Sequence, residues 1–410
     1  MSRVRRVLVH ATLALTSGLV ALVMSEGLLE IFTRDAYYPW TPHTQMSFHL
    51  PPGMAPGIRD ARFSTNADGI RGEPFSAAQH YRILAIGGST TECLLLDDSL
   101  AWPHLLEVAL NQRIGKGEQV WVGNAGKSGT RAAHHQLSVM HLLPQYPRID
   151  AVLVLVGIND LSYRLAHDDD YRPDSLSEPE RGSQLMQLAF EDLPRRYRPG
   201  PLYKRTEIWT RFRELKLFVR SVRGAEAHLQ VPGGNNLVTW RRHRQAAARL
   251  RDTLPDLRPA VDAYRRRLNA IIDQAARFHA DVILVTQPVL WKPGLAPRLR
   301  DLLWLGGVGD FQAREGNDYY SAGSLASGME LYNQTLLQVC RDRGVACIDL
   351  AAALPKDTTI FYDDAHFNEA GSRRVAEVLA HYLITQSTLS ALLGAPRQTA
   401  HRRSGPPDQP

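Results

Sequence analysis

The sequence predicts an α/β fold of three layers, α/β/α, with a five-stranded parallel sheet at its centre and a transmembrane helix ahead of it. Three observations lead there. Short apolar runs recur at 83–86, 120–122, 151–156, 282–286 and 345–348. Helical patterns lie between most of them, at 102–113, 132–143, 259–279 and 324–343. Finally, residues 7–25 contain no Lys, Arg, Asp or Glu. Strands alternating with helices imply right-handed crossovers and a parallel sheet, with ligands bound at the carboxyl ends of the strands.

Composition narrows the class. A chain of 410 residues with 44% apolar content can bury a sizeable core. The formal charge of +6 comes partly from the ends, from Arg3, Arg5 and Arg6 and from Arg397, Arg402 and Arg403. No aromatic-studded basic groove accompanies it, so nucleic acid is not an expected partner. Cys93, Cys340 and Cys347 are too few for a disulfide framework. Cys340 and Cys347 can pair in an oxidising compartment, but isolated buried thiols are the preferred reading.

Taken in order, residues 1–6 form a basic cytoplasmic N-terminus and 7–25 a span of about 30 Å, the thickness of a bilayer core. The apolar character continues through Leu28, Leu29, Ile31 and Phe32 without an Ala-x-Ala site, which favours an uncleaved signal anchor over a cleaved signal peptide. The basic cluster ahead of the span places the remainder on the outer face, in the periplasm of a cell with an inner membrane. Residues 26–75, rich in Pro, Tyr and Gly, read as a juxtamembrane stalk, with Tyr37, Tyr38 and Trp40 at headgroup level. Residues 76–388 hold the α/β domain, and 389–410 form a disordered tail. Within the domain, 161–257 interrupt the rhythm as an insertion. Its segment 208–222 is an amphipathic helix with Phe212, Leu215 and Val219 on one side. A lid over the site and a solvated or membrane-leaning appendage are both open readings of that insertion.

Four short segments carry the chemistry. In YRILAIGGSTTEC, a strand runs into Gly87 and Gly88, and Ser89 opens a helix whose N–H groups face a developing anion. The second strand ends in VGNAGKSGT. Its Gly126-Lys127-Ser128 is no phosphate loop, because Trp121 stands where that motif needs glycine, but its glycines suit an oxyanion hole. The third strand ends in Gly157-Ile158-Asn159-Asp160, whose carboxamide can donate to an oxyanion without titrating. Near the C-terminus Asp363 precedes His366 by three residues, close enough for the carboxylate to fix the imidazole tautomer. His134 and His135 are adjacent and diverge on a helix, and no His/Asp set has metal-ligand spacing, so neither metal nor cofactor is expected.

Together these segments resemble the SGNH, or GDSL-type, hydrolase family, in the family's order and over roughly residues 81–383. The resemblance implies a flavodoxin-like five-stranded domain. It implies Ser89 as nucleophile, Gly129 and Asn159 beside the Ser89 backbone as oxyanion donors, and His366 with Asp363 as base and orienting acid. Asn124 and Gly129 match the second family block. Gly88 departs from the pattern, standing where the family has Asp, which removes a carboxylate that helps hold the loop. The anchor followed by NADGIRGE is also similar to membrane-anchored bacterial members associated with exported polysaccharide.

The expected activity is therefore a serine esterase acting on small acyl esters, foremost O-acetyl groups on a cell-surface or exported polysaccharide. An O-acyltransferase to a glycan and a lysophospholipase-type esterase are the alternatives, and a non-catalytic glycan-binding protein is a third. The expected partners are an acylated carbohydrate or small ester and the membrane; protein partners are left open.

Overall fold

The apolar runs form strands because they are buried on both faces, the usual state of a parallel sheet covered by helices. The computed structural model describes residues 3–32, 36–51, 54–114, 119–191, 193–194, 200–222 and 233–386. The chain opens with α1 (Arg3–Phe32), β1 (Gln45–Phe48), β2 (Ala61–Ser64) and β3 (Tyr81–Gly87), followed by α2 (Ser89–Glu92), α3 (Trp102–Ile114) and β4 (Val120–Asn124). Next come α4 (Ala132–Leu142), β5 (Ala151–Leu155), α5 (Ile158–His167), α6 (Pro179–Ala189), α7 (Glu207–Val222) and α8 (Gly233–Gln245). The remainder is β6 (Leu250–Arg251), α9 (Arg258–Arg277), β7 (Asp281–Val285), α10 (Pro297–Arg300), β8 (Tyr319–Tyr320), α11 (Ala322–Arg343), β9 (Ala346–Ile348), α12 (Leu350–Ala353) and α13 (Glu369–Gln386).

The central sheet has five parallel strands in the order β4-β3-β5-β7-β9. Ile83 to Ile86 and the whole of β5 are buried. Helices α3 and α13 pack together against one side, and α4, α9 and α11 form the other layer. The chain reverses direction across the sheet between β3 and β5, so the loops after these two strands flank the crevice where α/β folds bind ligands. Ser89 follows β3 and Asn159 follows β5.

Three expectations change. Residues 36–75 are not an irregular stalk. Here β1 and β2 form an antiparallel pair with Phe48, Phe63 and Ile70 buried, and Arg71 bridges to Asn124 on the edge strand β4. Each strand has only four residues, too few for alternation to stand out among prolines and glycines. Arg71 stabilises this attachment by donating to the carbonyl oxygens of Glu92, Cys93 and Leu96 and to Asp98.

Second, Cys340 and Cys347 form a disulfide, with Cα atoms 6.1 Å apart, rather than remaining separate thiols. Helix α11 ends at Gly344 in the left-handed conformation, which turns the chain back and brings the two residues within bonding reach. Third, the insertion has two characters. Helix α8 is built into the domain through buried Leu237, Arg241 and Arg244, whereas Phe212 and Leu215 of α7 are exposed.

Among the described residues, α1 is the one helix long and apolar enough to cross a membrane, with a mean hydropathy of 2.1 over its most apolar stretch and no burial there. Its Glu26 accepts hydrogen bonds from the first backbone N–H groups of α7, at Glu207 and Ile208. The tail at 389–410, with Arg397, Arg402 and Arg403, lies outside the described residues.

Candidate active site

Strand β3 delivers Ser89 to the carboxyl edge of the sheet, and the four-residue helix α2 begins there. A Cβ added at Gly88 would lie 2.5 Å from Asn159 Nδ2, so a side chain there needs the carboxamide to shift. Side-chain bulk at position 88 therefore competes with the carboxamide next door. Backbone hydrogen bonds hold the turn. Thr91 and Glu92 N–H groups both donate to Gly88 O at 3.0 Å, and Lys127 N–H donates to Gly87 O at 3.0 Å. The Lys127 ammonium itself holds Pro39 O and Glu191, a structural role.

His366 Nε2 lies 2.8 Å from Ser89 Oγ, and His366 Nδ1 lies 2.8 and 2.9 Å from the two Asp363 oxygens. An ionised carboxylate only accepts, so Nδ1 carries the proton toward Asp363 and Nε2 is left to accept from the serine hydroxyl. Asp363 is 1% exposed and fully engaged. Its Oδ1 accepts from Ala365 N and His366 N, and its Oδ2 from Trp304 Nε1 at 2.9 Å. Burial pushes the Asp363 carboxyl up, but the His366 charge and the hydrogen bonds from His366 and Trp304 outweigh it and hold the pKa below the ordinary value. Burial likewise pulls His366 down, and the charge and hydrogen bond of Asp363, aided by Asp364 and Glu92, raise it above the usual imidazole value. The neutral, proton-accepting imidazole is thus the form present at higher pH.

Asn159 reaches the site because Gly157 turns the chain at φ +134°, a conformation open to glycine and strained for other residues, between β5 and α5. One Asn159 Nδ2 hydrogen goes to Thr130 O at 2.8 Å. The other has no protein acceptor among the described residues, and Asn159 lines a cavity of about 510 Å³ together with Ser89, Gly129 and His366. Asn124 braces this edge by donating to Thr91 O and accepting from Gly126 N, both at 2.9 Å. Replacing Asn159 by alanine is expected to lower kcat on a synthetic ester by roughly 10²–10³-fold with KM little changed, the cost of losing one oxyanion donor. Steady-state kinetics on the folded variant measures it.

Further side chains hold the site in place. Trp304 bonds Asp363 from a distant loop, and nothing in DLLWLGG marks it. Asp364 is visible in sequence only as a neighbour of Asp363. In the fold it is buried and accepts from Trp291 Nε1, Trp304 N and Leu305 N, which anchors the loop bearing Trp304. Asp160 accepts from Ala132 N at the start of α4, and burial pushes its pKa up to about 7. His134 Nδ1 accepts from Arg131 N at the same helix end.

Glu92, the last residue of α2, is buried, its carboxyl hydrogen-bonded to Ser128 and pushed up to about 7, chiefly by burial. A carboxyl raised in the folded state keeps a proton that the unfolded chain releases near pH 4.5, so Glu92 costs stability progressively as pH rises from there to about 7. Glu92→Gln is therefore expected to be near neutral at pH 5 and stabilising by about 1–3 kcal/mol at pH 8. Urea unfolding of both proteins at the two pH values reads the difference.

A parallel α/β sheet that gathers a serine, an imidazole and a carboxylate at its carboxyl edge defines the serine-hydrolase class. The chain belongs to the GDSL-like lipase/acylhydrolase family, whose model matches residues 85–374, well over half of the protein. It is accordingly a carboxylic-ester hydrolase. No curated protein matches the sequence. Among solved structures it is similar to Axe2, an acetylxylan esterase from Geobacillus stearothermophilus, at 13% identity and TM-score 0.38, covering 75% of this chain and 95% of that one. It is similar also to a member of the lipolytic G-D-S-L family from Veillonella parvula, at 11% identity and TM-score 0.38, covering 74% and 99%. LAE5, an α/β hydrolase from the metagenome of Lake Arreo, Spain, matches at 14% identity and TM-score 0.36, covering 74% and 95%.

Proposed function

We propose that Ser89 is the nucleophile of an esterase that removes small acyl groups, foremost O-acetyl, from a cell-surface or exported polysaccharide. The observation that carries this is the 2.8 Å contact between Ser89 Oγ and His366 Nε2, with the imidazole held on Asp363. His366 takes the serine proton as Oγ attacks the ester carbonyl, and returns it to the departing alcohol. The developing oxyanion is received by the Ser89 and Gly129 N–H groups and by the Asn159 carboxamide. Water, activated by the same histidine, then hydrolyses the acyl-enzyme and frees the acid.

The cavity wall supports a carbohydrate substrate. The Trp240 and Trp304 rings stand 4.6 Å apart, and Arg131, Asn236 and Gln312 add polar groups around them. Trp240, partly exposed and packed against the buried Trp304, beside hydrogen-bonding side chains suits the apolar face and hydroxyls of a sugar ring. The opposing observation is the run of Leu94, Leu95, Leu237, Leu305 and Phe311 along the same cavity, which favours the lipase-type reading with a longer acyl chain.

In this reading α1 anchors the enzyme through residues 7–25 with its N-terminus in the cytoplasm and the domain in the periplasm. The apolar length of α1 supports the anchor. The Cys340–Cys347 disulfide supports an oxidising compartment.

The test is hydrolysis by the full-length protein in detergent. It is run across p-nitrophenyl esters of increasing chain length and on acetylated polysaccharide, with Ser89→Ala alongside. Activity that falls with chain length and releases acetate from the polysaccharide supports the proposal. Activity that rises with chain length supports the lipase-type reading. Acyl groups appearing on added deacetylated glycan instead of in free acid support transfer.

A further inference from the structure

We infer that helix α8 of the insertion supplies the counter-charge of the active site, with Arg241 acting as a positioning residue for the Asp363–His366 pair. The inference rests on the reading of that pair as orienting acid and base.

Asp363 and Asp364 are adjacent and both buried. Two carboxylates so placed repel each other, and a pair of this kind tends to keep one proton between them. A proton on Asp363 would remove the acceptor that fixes the His366 tautomer. Yet, among the described residues, no Lys or Arg forms an ion pair with either carboxylate; apart from His366 Nδ1, their partners are backbone N–H groups and the Trp291 and Trp304 indoles.

The compensating charge sits on α8, one helical turn apart, on Arg241 and Arg244, both buried. Arg241 donates to Met54 O at 2.6 Å, Leu302 O at 3.1 Å and Tyr362 O at 2.9 Å. Arg244 donates to Leu305 O and to Tyr320 O. Carbonyl oxygens satisfy a guanidinium without cancelling its charge, so both cations stay charged, Arg241 against the carbonyl of the residue preceding Asp363 and Arg244 against that of Leu305, whose N–H holds Asp364. Burial pulls both guanidinium pKa values down, and attraction to Asp363 and Asp364 for Arg241, and to Asp364 for Arg244, opposes it. The contacts are also mechanical. Arg241 ties the residue preceding Asp363 to the loop that carries Trp304, the indole that holds Asp363 from its other side.

Other titratable groups lie around these residues: Glu92 of α2 toward His366, the Tyr362 hydroxyl toward Asp363 with the Cys93 thiol behind it, and Tyr319 toward Asp364 and Arg244. None of these is cationic. Removing the Arg241 charge therefore lets the pair take up protons more readily on both members. The Asp363 carboxyl and the His366 imidazole shift the same way, upward.

The experiment compares Arg241→Met, which removes the charge, with Arg241→Lys, which keeps it and loses the planar fork. Two readouts are taken on full-length protein: the pH profile of kcat/KM, and the titration of the downfield His366 Nδ1 proton by NMR. The NMR titration needs no turnover, so it stands even where the esterase reading fails. Loss of hydrolysis in His366→Ala tests that reading separately.

The expected result is an upward shift of both the acid limb and the NMR titration by about one pH unit in Arg241→Met. In Arg241→Lys both are expected to stay near the wild-type position while kcat falls several-fold. Wild-type titration in Arg241→Met, or equal shifts in both variants, overturns the inference and leaves Arg241 a packing residue. If Arg241→Met does not fold, Arg244→Met takes its place, with an upward shift of the same sign expected and an unshifted titration again overturning the inference.

Discussion

Replacing Ser89 by alanine is expected to lower kcat by about 10⁶-fold, the loss seen when a serine hydrolase is deprived of its nucleophile. The fold should survive, because among the described residues the Ser89 hydroxyl bonds His366 alone, while its carbonyl continues to accept from Cys93 N–H at 3.0 Å. Thermal unfolding close to that of the wild type would accompany the loss. Residual hydrolysis would come from the oxyanion donors and from binding, which the substitution leaves in place. Steady-state assays at high enzyme concentration, with the variant prepared free of wild-type carry-over, measure the effect.

Asp363→Asn is expected to lower kcat by roughly 10⁴-fold, with a signature of its own. The asparagine oxygen can keep the Ala365 and His366 N–H groups that Oδ1 now accepts. Its NH₂ then replaces Oδ2, where it meets the Trp304 indole N–H donor to donor and turns toward His366 Nδ1. The imidazole answers by accepting at Nδ1 and carrying its proton on Nε2, so it cannot take the proton of Ser89. The acid limb of kcat/KM moves as well. Asp363 is the leading influence raising the His366 pKa against burial, so losing its charge moves the limb to lower pH. A slow enzyme with an unmoved limb would mean that Asp363 does not face His366 during turnover.

The parts of this molecule legible in sequence were those whose chemistry is local. A parallel strand buried on both faces is an unbroken apolar run, so all five central strands fell within two residues of their observed limits. Ser89 and Asn159 stand just past such runs, and Asp363 and His366 are three positions apart on one turn, where their hydrogen bonds are found. What escaped depends on distant groups meeting. Trp304 and Arg241 stand 59 and 122 positions before Asp363 and follow no spacing rule that points to it. The Cys340–Cys347 bond depended on a left-handed turn at Gly344. The β1–β2 pair escaped because a four-residue strand carries too little alternation to outweigh the prolines around it. Gly88 lacks the family's carboxylate, and in the fold it leaves Asn159 Nδ2 room, 2.5 Å from where a Cβ would stand.

The central claim is that hydrolysis passes through an acyl group on Ser89, and its most direct test is to trap that group. Full-length protein is mixed with an activated acetyl ester, quenched in acid within the first turnovers, digested and analysed by mass spectrometry. The account predicts one acetyl group per chain, carried by the peptide containing Ser89, appearing in a burst and absent from Ser89→Ala. An acetyl group on another residue, or undiminished hydrolysis by Ser89→Ala, would contradict it.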